Sequence, residues 1–356
     1  MTGVDRGMLR MRRLVAVIVL LAIATYAVYL AVWQTHVPAP LFEDWRWYGD
    51  GPARLLQGQP LYDAAYLHGP YGLADPAVVG KFNQWPALAA ALLPFQVAIP
   101  AGAQDLVWGL LMTAMLAAAF ALVWPRRVDP MTNVALALIV VVAPPTWLAF
   151  RTANLACAVA LGVALTIVGQ RRRSAPLMAA GLLLAGIAKL LPAVPLVLWL
   201  IVKKREWRPV VWAMAAGAAL TAIPVVLQGP QVISDFVIAS AGQQALNEWT
   251  NVAPAYRLAP LLGIVALPLS VAVAVLLGVY ALRPGRSDGA SLLLLTTASC
   301  LVFSTTHLFW WLSPIIVAIA YYGEWIVQRL GYLFDWRPRG VRAMGMPAER
   351  AANLET

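Results

Sequence analysis

Residues 171–205 read RRRSAPLMAAGLLLAGIAKLLPAVPLVLWLIVKKR. An Arg triplet and a Lys-Lys-Arg triplet bracket an apolar stretch interrupted by one cation, Lys189. Cationic clusters flanking membrane spans face the cytoplasm. For both triplets to share that side, the chain between them crosses the membrane twice or not at all. A full span needs roughly 20 residues, so the stretch is too long for one helix and short for two. Pro192 and Pro195 break helical hydrogen bonding near its middle. The reading is a hairpin of two short helices, 175–188 and 190–202, with Lys189 close to its outer turn.

The rest of the chain has the same character. Of its 356 residues 61% are hydrophobic and only 12% are charged, and the mean hydropathy is +0.73. A soluble domain carries about a quarter charged residues. This composition excludes a soluble enzyme, a disordered tail and a fibrous repeat, and leaves a polytopic membrane protein. Cys157 and Cys300 both lie in apolar runs, which gives no disulfide framework and no cysteine metal site.

Apolar runs predict ten spans, at about 14–33, 104–124, 131–149, 154–169, 175–188, 190–202, 207–228, 258–282, 289–306 and 308–328. The first follows Arg6, Arg10, Arg12 and Arg13. It has the basic start of a signal peptide, but its length and the Gln34-Thr35-His36 that follows favour a retained helix. Residues 84–100 read as a juxtamembrane or re-entrant helix on the outer side, because a crossing there would turn Arg126-Arg127 outward. The expected fold is therefore an all-α, polytopic transmembrane bundle with juxtamembrane helices in the first outer loop. Residues 1–330 form one domain, and 331–356 form a basic, disordered tail at the inner leaflet. Both termini are cytoplasmic, and the protein sits in the cell membrane.

The two long polar segments, about 34–103 and 229–257, fall outside. The cytoplasmic connectors hold no phosphate-cradling Gly-Lys loop and no dinucleotide turn. Any chemistry is thus expected on the outer face. There the first loop interleaves acids with aromatics: Leu41-Phe42-Glu43-Asp44-Trp45-Arg46-Trp47-Tyr48, then Gly49-Asp50-Gly51 and Gly58-Gln59-Pro60-Leu61-Tyr62. The aromatics read as interface anchors or as sugar-stacking surfaces.

Asp44-Trp45-Arg46-Trp47-Tyr48 followed by Gly58-Gln59-Pro60-Leu61-Tyr62 resembles the polytopic glycosyltransferases of the C superfamily, and most of all the bacterial family 87 type. Four further pieces agree in order over most of residues 14–325. Phe82 to Leu88 resembles the family's aromatic-Tyr-Pro-Pro-Leu segment, and Asn154-Leu155 the end of its Gly-Gln-x-Asn segment. Ala180-Gly181 through Ala188-Lys189-Leu190-Leu191-Pro192 resembles its Ala-Gly…Lys-x-x-Pro hairpin, and Ser304 to Phe309 its late His-containing segment. Arg151-Thr152 stands where the family has Gly-Gln, Ala87 replaces the second Pro, and one His of a pair is missing.

The resemblance implies a transferase that uses a polyprenyl-phosphate sugar, often mannose, and a lipid or glycan acceptor on the outer face. A phosphate leaving group already carries negative charge and departs without a general acid, so a glycosidase's paired carboxylates are not required. The needs are one base for the acceptor hydroxyl and cations or donors for the phosphate. Asp44 is the expected base, with Asp50 and Glu43 as alternatives. Lys189, His307 and Arg257 are expected to hold the donor phosphate. Lys189 also reads as a snorkelling side chain, His307 as an interface residue and Arg257 as an anchor. Trp45, Tyr48, Tyr62, Gln84 and Asn154 are expected to line the substrate. No metal and no cofactor beyond the lipid-linked sugar co-substrate are expected; a divalent ion is left open, although neither long loop holds Asp-x-Asp. Partners are membrane lipids, the donor and a glycolipid or glycan acceptor, with no nucleic acid. The competing reading is a secondary transporter or lipid-linked sugar flippase, which would show a second, matching broken helix; none is found.

Overall fold

The computed structural model describes residues 41–63, 67, 82–125, 130–243, 258, 260–301 and 308–333. The predicted first span, the second half of the second outer loop, Arg257, His307 and residues 334–356 lie outside these. Within the described residues the regular structure is helical throughout.

The first described helix, α1 (Trp45–Leu56), is short and buries Trp45, Tyr48, Pro52 and Leu55 along one face, the spacing of an amphipathic helix. It packs on α2 (Pro86–Ala98), which Pro86 starts at a position needing no donor. This is the helix expected beside the membrane at 84–100. Next come α3 (Gln104–Val123), α4 (Pro130–Val142), α5 (Pro144–Thr152) and α6 (Ala156–Arg171). The expected single span at 131–149 is thus two helices. Pro144-Pro145 removes two consecutive amide donors and forces Ala143 into extended backbone, at φ −58° and ψ 130°.

After α6 the chain forms α7 (Ala175–Ala188) and α8 (Leu190–Leu198), continued by a π-helical turn, Trp199–Lys204. The break falls at Lys189, whose backbone is extended at φ −154° and ψ 112°. It precedes Pro192, which sits in the first turn of α8 and costs no hydrogen bond there. A Cβ on Gly186 would lie 3.8 Å from that of Ala193. Seven residues of continuous helix would separate the two by about 10.5 Å, so the chain folds back at Lys189. Arg171–Arg173 lie at the far end of α7, about 21 Å away for its 14 residues.

The chain closes with α9 (Trp207–Gln228), α10 (Gln231–Gln243), α11 (Ala266–Ala281), α12 (Asp288–Leu301) and α13 (Leu312–Leu333). The segment expected as the second outer loop therefore opens with a helix, and α13 runs past the expected domain end at 330. Three helical stretches are long and apolar enough to cross a membrane: Ala101–Val123, Trp207–Gln228 and Pro260–Ala281. Shorter apolar helices accompany them, among them Ala156–Arg171, Ala175–Ala188 and Asp288–Leu301. The outer faces of α9 and α11 are apolar, with Met214, Val226, Leu227 and Leu276 exposed. The protein is an all-helical membrane protein.

The tightest pair is α6 against α7. A Cβ on Gly162 would stand 2.5 Å from the Gly181 carbonyl oxygen, and one on Gly181 2.5 Å from that of Gly162. Two glycines facing each other let the backbones touch, the small-residue packing that joins helices in lipid. Gly162→Ala is expected to destabilise the protein by about 1–3 kcal/mol, read as a lower midpoint of thermal unfolding in detergent. An unchanged midpoint would show that the crossing relaxes freely. Because α7 ends at Lys189, this crossing also fixes where that cation stands.

At the basic ends, Lys204 pairs with Asp288 at 2.7 Å, and Lys203 donates to the Arg283 and Arg286 carbonyls at 3.0 and 3.4 Å. Both carbonyls lie in the connector between α11 and α12, so the lysines tie that connector and the start of α12 to the end of the π-helical turn.

Candidate active site

Asp44 is the N-cap residue of α1, yet its carboxylate makes no capping bond to that helix. An N-cap Asp ordinarily accepts an amide from the following turn. Here the carboxylate points instead at Asn154, whose Nδ2 donates to Asp44 Oδ2 at 2.5 Å. The Tyr48 hydroxyl, one turn along α1, donates to the same oxygen at 3.3 Å and accepts from Asn154 Nδ2 at 2.9 Å.

Backbone pairing brings these distant residues together. Phe42 N donates to Arg151 O at 2.9 Å, and Asp44 N to Thr152 O at 3.1 Å. The segment before α1 is thereby stitched to the end of α5. At that end Ala153 adopts the left-handed conformation, φ 54°, costly for a residue with a Cβ. The Trp108 indole holds it by donating to its carbonyl at 2.8 Å. Asn154 follows, and its Oδ1 accepts the Ala156 amide at 2.9 Å, which starts α6. A Cβ on Gly109 would overlap the Phe42 ring, so α3 carries a glycine where the Asp44 segment crosses it.

The cation reaches the site from the α7–α8 fold-back. Lys189 Nζ donates to Gln84 Oε1 at 3.0 Å and stands 5.9 Å from the centre of the Tyr48 ring. Gln84 is fixed from behind, as its Nε2 donates to Asn83 Oδ1 and its carbonyl accepts the Tyr62 hydroxyl at 2.7 Å. Asp44, Tyr48, Asn154, Lys189, Gln84 and Tyr62, six of the residues expected from sequence, thus form one connected cluster.

Burial, the largest influence, pushes the Asp44 carboxyl up to about 6; the Asn154 hydrogen bond opposes this, Glu43 adds to it and Lys189 opposes it. Asp44 nonetheless keeps partial solvent contact. Burial likewise raises Glu43, against the opposing Arg151 and Arg46 charges. Burial raises Tyr48 well above the ordinary phenol range, with the Asp44 charge next, so the phenol keeps its proton and remains a donor.

Other expected residues do different work. Trp45 is buried; its indole donates to Gln104 Oε1 at 3.0 Å, and its ring packs on both Phe95 and Trp108 at 4.6 and 5.0 Å, with those two rings in contact with each other at 5.7 Å. With its polar edge used in the interior, it braces α1 against α2 and α3. Asp50 accepts Arg54 Nε and Phe82 N, both at 2.9 Å, while Arg54 Nη2 holds Asp63 at 2.5 Å. This network ties α1 to the Gly58–Tyr62 turn and to residue 82, and both of its bonds to Asp50, the alternative base, fall on Oδ2. Tyr62 supports Gln84 from a buried position. The sequence reading missed Trp108, Gln104 and Phe42. They sit among ordinary apolar and aromatic residues, and no spacing marks them.

The model of glycosyltransferase family 87 matches residues 85–314, well over half of the chain. The chain belongs to glycosyltransferase family 87. Searches of curated proteins and of solved structures give no match. A family 87 member transfers glycosyl groups, so the protein is a membrane glycosyltransferase. The family 87 match contains Asn154 and Lys189 and begins at residue 85, after Asp44 and directly after Gln84. The base candidate joins this family 87 core through the backbone bonds to residues 151 and 152.

Proposed function

We propose that the protein moves a sugar, with mannose as the expected case, from a polyprenyl-phosphate donor to a lipid or glycan acceptor on the outer face of the cytoplasmic membrane. The observation that carries this reading is the meeting of one carboxylate, Asp44, and one ammonium, Lys189, across a single tyrosine. Transfer from a lipid phosphate requires those two charges.

The acceptor hydroxyl gives its proton to the Asp44 carboxylate as its oxygen bonds to the anomeric carbon. The bond from that carbon to the phosphate oxygen breaks on the opposite face, and polyprenyl phosphate leaves with the electron pair. The configuration inverts. Lys189 balances the phosphate, which is a strong acceptor for a point-charge donor, and Arg257 and His307 are proposed as further phosphate ligands.

The test supplies the purified protein with radiolabelled polyprenyl-phosphate-mannose and a membrane lipid extract. Label moving into a new glycolipid or glycan supports the reading. Movement of intact donor across a vesicle bilayer without transfer would instead favour a flippase.

The rate should follow the ionisation of the base. Asp44 serves as a base only when deprotonated, and its carboxyl titrates at about 6. Transfer is therefore expected to rise with pH through about 6 and to level off above it, falling tenfold per unit on the acid side. A midpoint near 4 would mean that the carboxyl is open to water in the working enzyme.

A further inference from the structure

We propose that Asn154 and Tyr48 are positioning residues that grip Oδ2 of Asp44 and so leave Oδ1 as the oxygen that takes the acceptor's proton. The inference rests on the reading of Asp44 as base and deepens it.

Three observations carry the assignment. Both side-chain donors converge on the same carboxylate oxygen, at 2.5 and 3.3 Å. Neither of these two donors reaches Oδ1; the Thr152 hydroxyl also hydrogen-bonds the carboxylate, and it shares its proton with Leu148 O at 3.2 Å. The two donors are themselves locked, since Asn154 also donates to the Tyr48 oxygen and accepts from the Ala156 amide. The Asn154 flip state follows from that amide, which requires an oxygen facing it.

The consequence is directional. A carboxylate held by one oxygen cannot turn freely about its Cβ–Cγ bond, so the other oxygen keeps one heading. A base must stand within hydrogen-bond reach of the proton it takes, and a misplacement of about 1 Å costs roughly 10²-fold. Oδ2, with two donors on it, is the poorer proton acceptor; Oδ1, on a residue that retains solvent contact, is the better one. Tyr48 adds a second duty. Its hydroxyl edge serves the base while Lys189 stands over its ring, so one side chain sets the spacing between proton acceptor and phosphate cation.

The experiment follows Asp44 directly. An infrared pH titration of the purified protein would record the carboxyl band that disappears in Asp44→Asn. The same titration would be run on Tyr48→Phe and Asn154→Leu. In each the Asp44 midpoint is expected to rise from about 6 by about one pH unit, the size of one lost hydrogen bond to a charged group. In the transfer assay kcat at neutral pH is expected to fall about tenfold or more, with the KM for polyprenyl-phosphate-mannose unchanged. Tyr48→Phe keeps the ring and removes one oxygen, so it carries the test alone if Asn154→Leu does not fold. An unmoved midpoint in folded Tyr48→Phe, or a loss confined to KM, overturns the grip while Asp44 as base still stands. Full transfer by Asp44→Asn overturns the base reading, whatever the infrared midpoints show.

Discussion

Asp44→Asn is expected to lower sugar transfer by about 10²–10⁴-fold, the usual contribution of a general base, with little change in donor affinity. The substitution is nearly isosteric and removes the negative charge. The neutral amide no longer accepts the acceptor's proton, although its oxygen can still accept from Asn154 and Tyr48, so α1 stays docked. Burial opposes the charged form of this carboxyl, and the variant is expected to be at least as stable to heat as the wild type. A dead enzyme with an unchanged or higher unfolding midpoint would separate chemistry from folding. Equal transfer would remove Asp44 from the reaction and move attention to Asp50 and Glu43.

Lys189→Ala is expected to weaken binding of polyprenyl phosphate by about 10–100-fold, the equivalent of a charged hydrogen bond of about 1.5–3 kcal/mol. Equilibrium binding of the radiolabelled lipid in detergent measures it. The same variant has a second signature. Lys189 is one of the influences that hold the Asp44 carboxyl down, so its removal should shift the acid limb of the rate profile upward from about 6. A snorkelling lysine would change neither quantity. Weakened binding with an unshifted limb would place the ammonium on the phosphate but outside the field of the base.

The two charges approach each other for a reason visible only in part along the chain. The bracketing of residues 175–202 by two basic triplets led to the expectation of a hairpin with Lys189 at a turn away from them. The fold-back at Lys189 agrees with that expectation. The exact break did not follow from sequence. Prolines at 192 and 195 invited a kink there, yet a proline in a helix's first turn is tolerated, and the chain breaks three residues earlier. At 144–145 the reverse holds: two adjacent prolines split an apolar run long enough to pass for one span.

The candidate site divides in the same way. An acid among aromatics singled out Asp44, and an isolated cation in an apolar stretch singled out Lys189. What each contacts was not legible. Asp44 and Asn154 are 110 residues apart in sequence, and no local pattern announces that the backbone of 42–44 pairs with 151–152. The aromatic letters were equally ambiguous. Trp45 and Tyr48 share one helix and are both buried, but the indole turns into the Phe95–Trp108 packing and the phenol turns to Asp44.

The sequence by itself determined the membrane class and set apart Asp44 and Lys189, two residues whose charge is costly where it stands. Those are properties of composition and of the transfer of charge out of water, and they depend on each residue's own chemistry. The tertiary structure alone decided the contacts of each carboxylate, Asn154 and Tyr48 on Asp44 and Arg54 with the Phe82 amide on Asp50. Those depend on hydrogen bonds between segments far apart in the chain, fixed by close helix crossings such as Gly162 on Gly181 and by a left-handed Ala153 braced by Trp108.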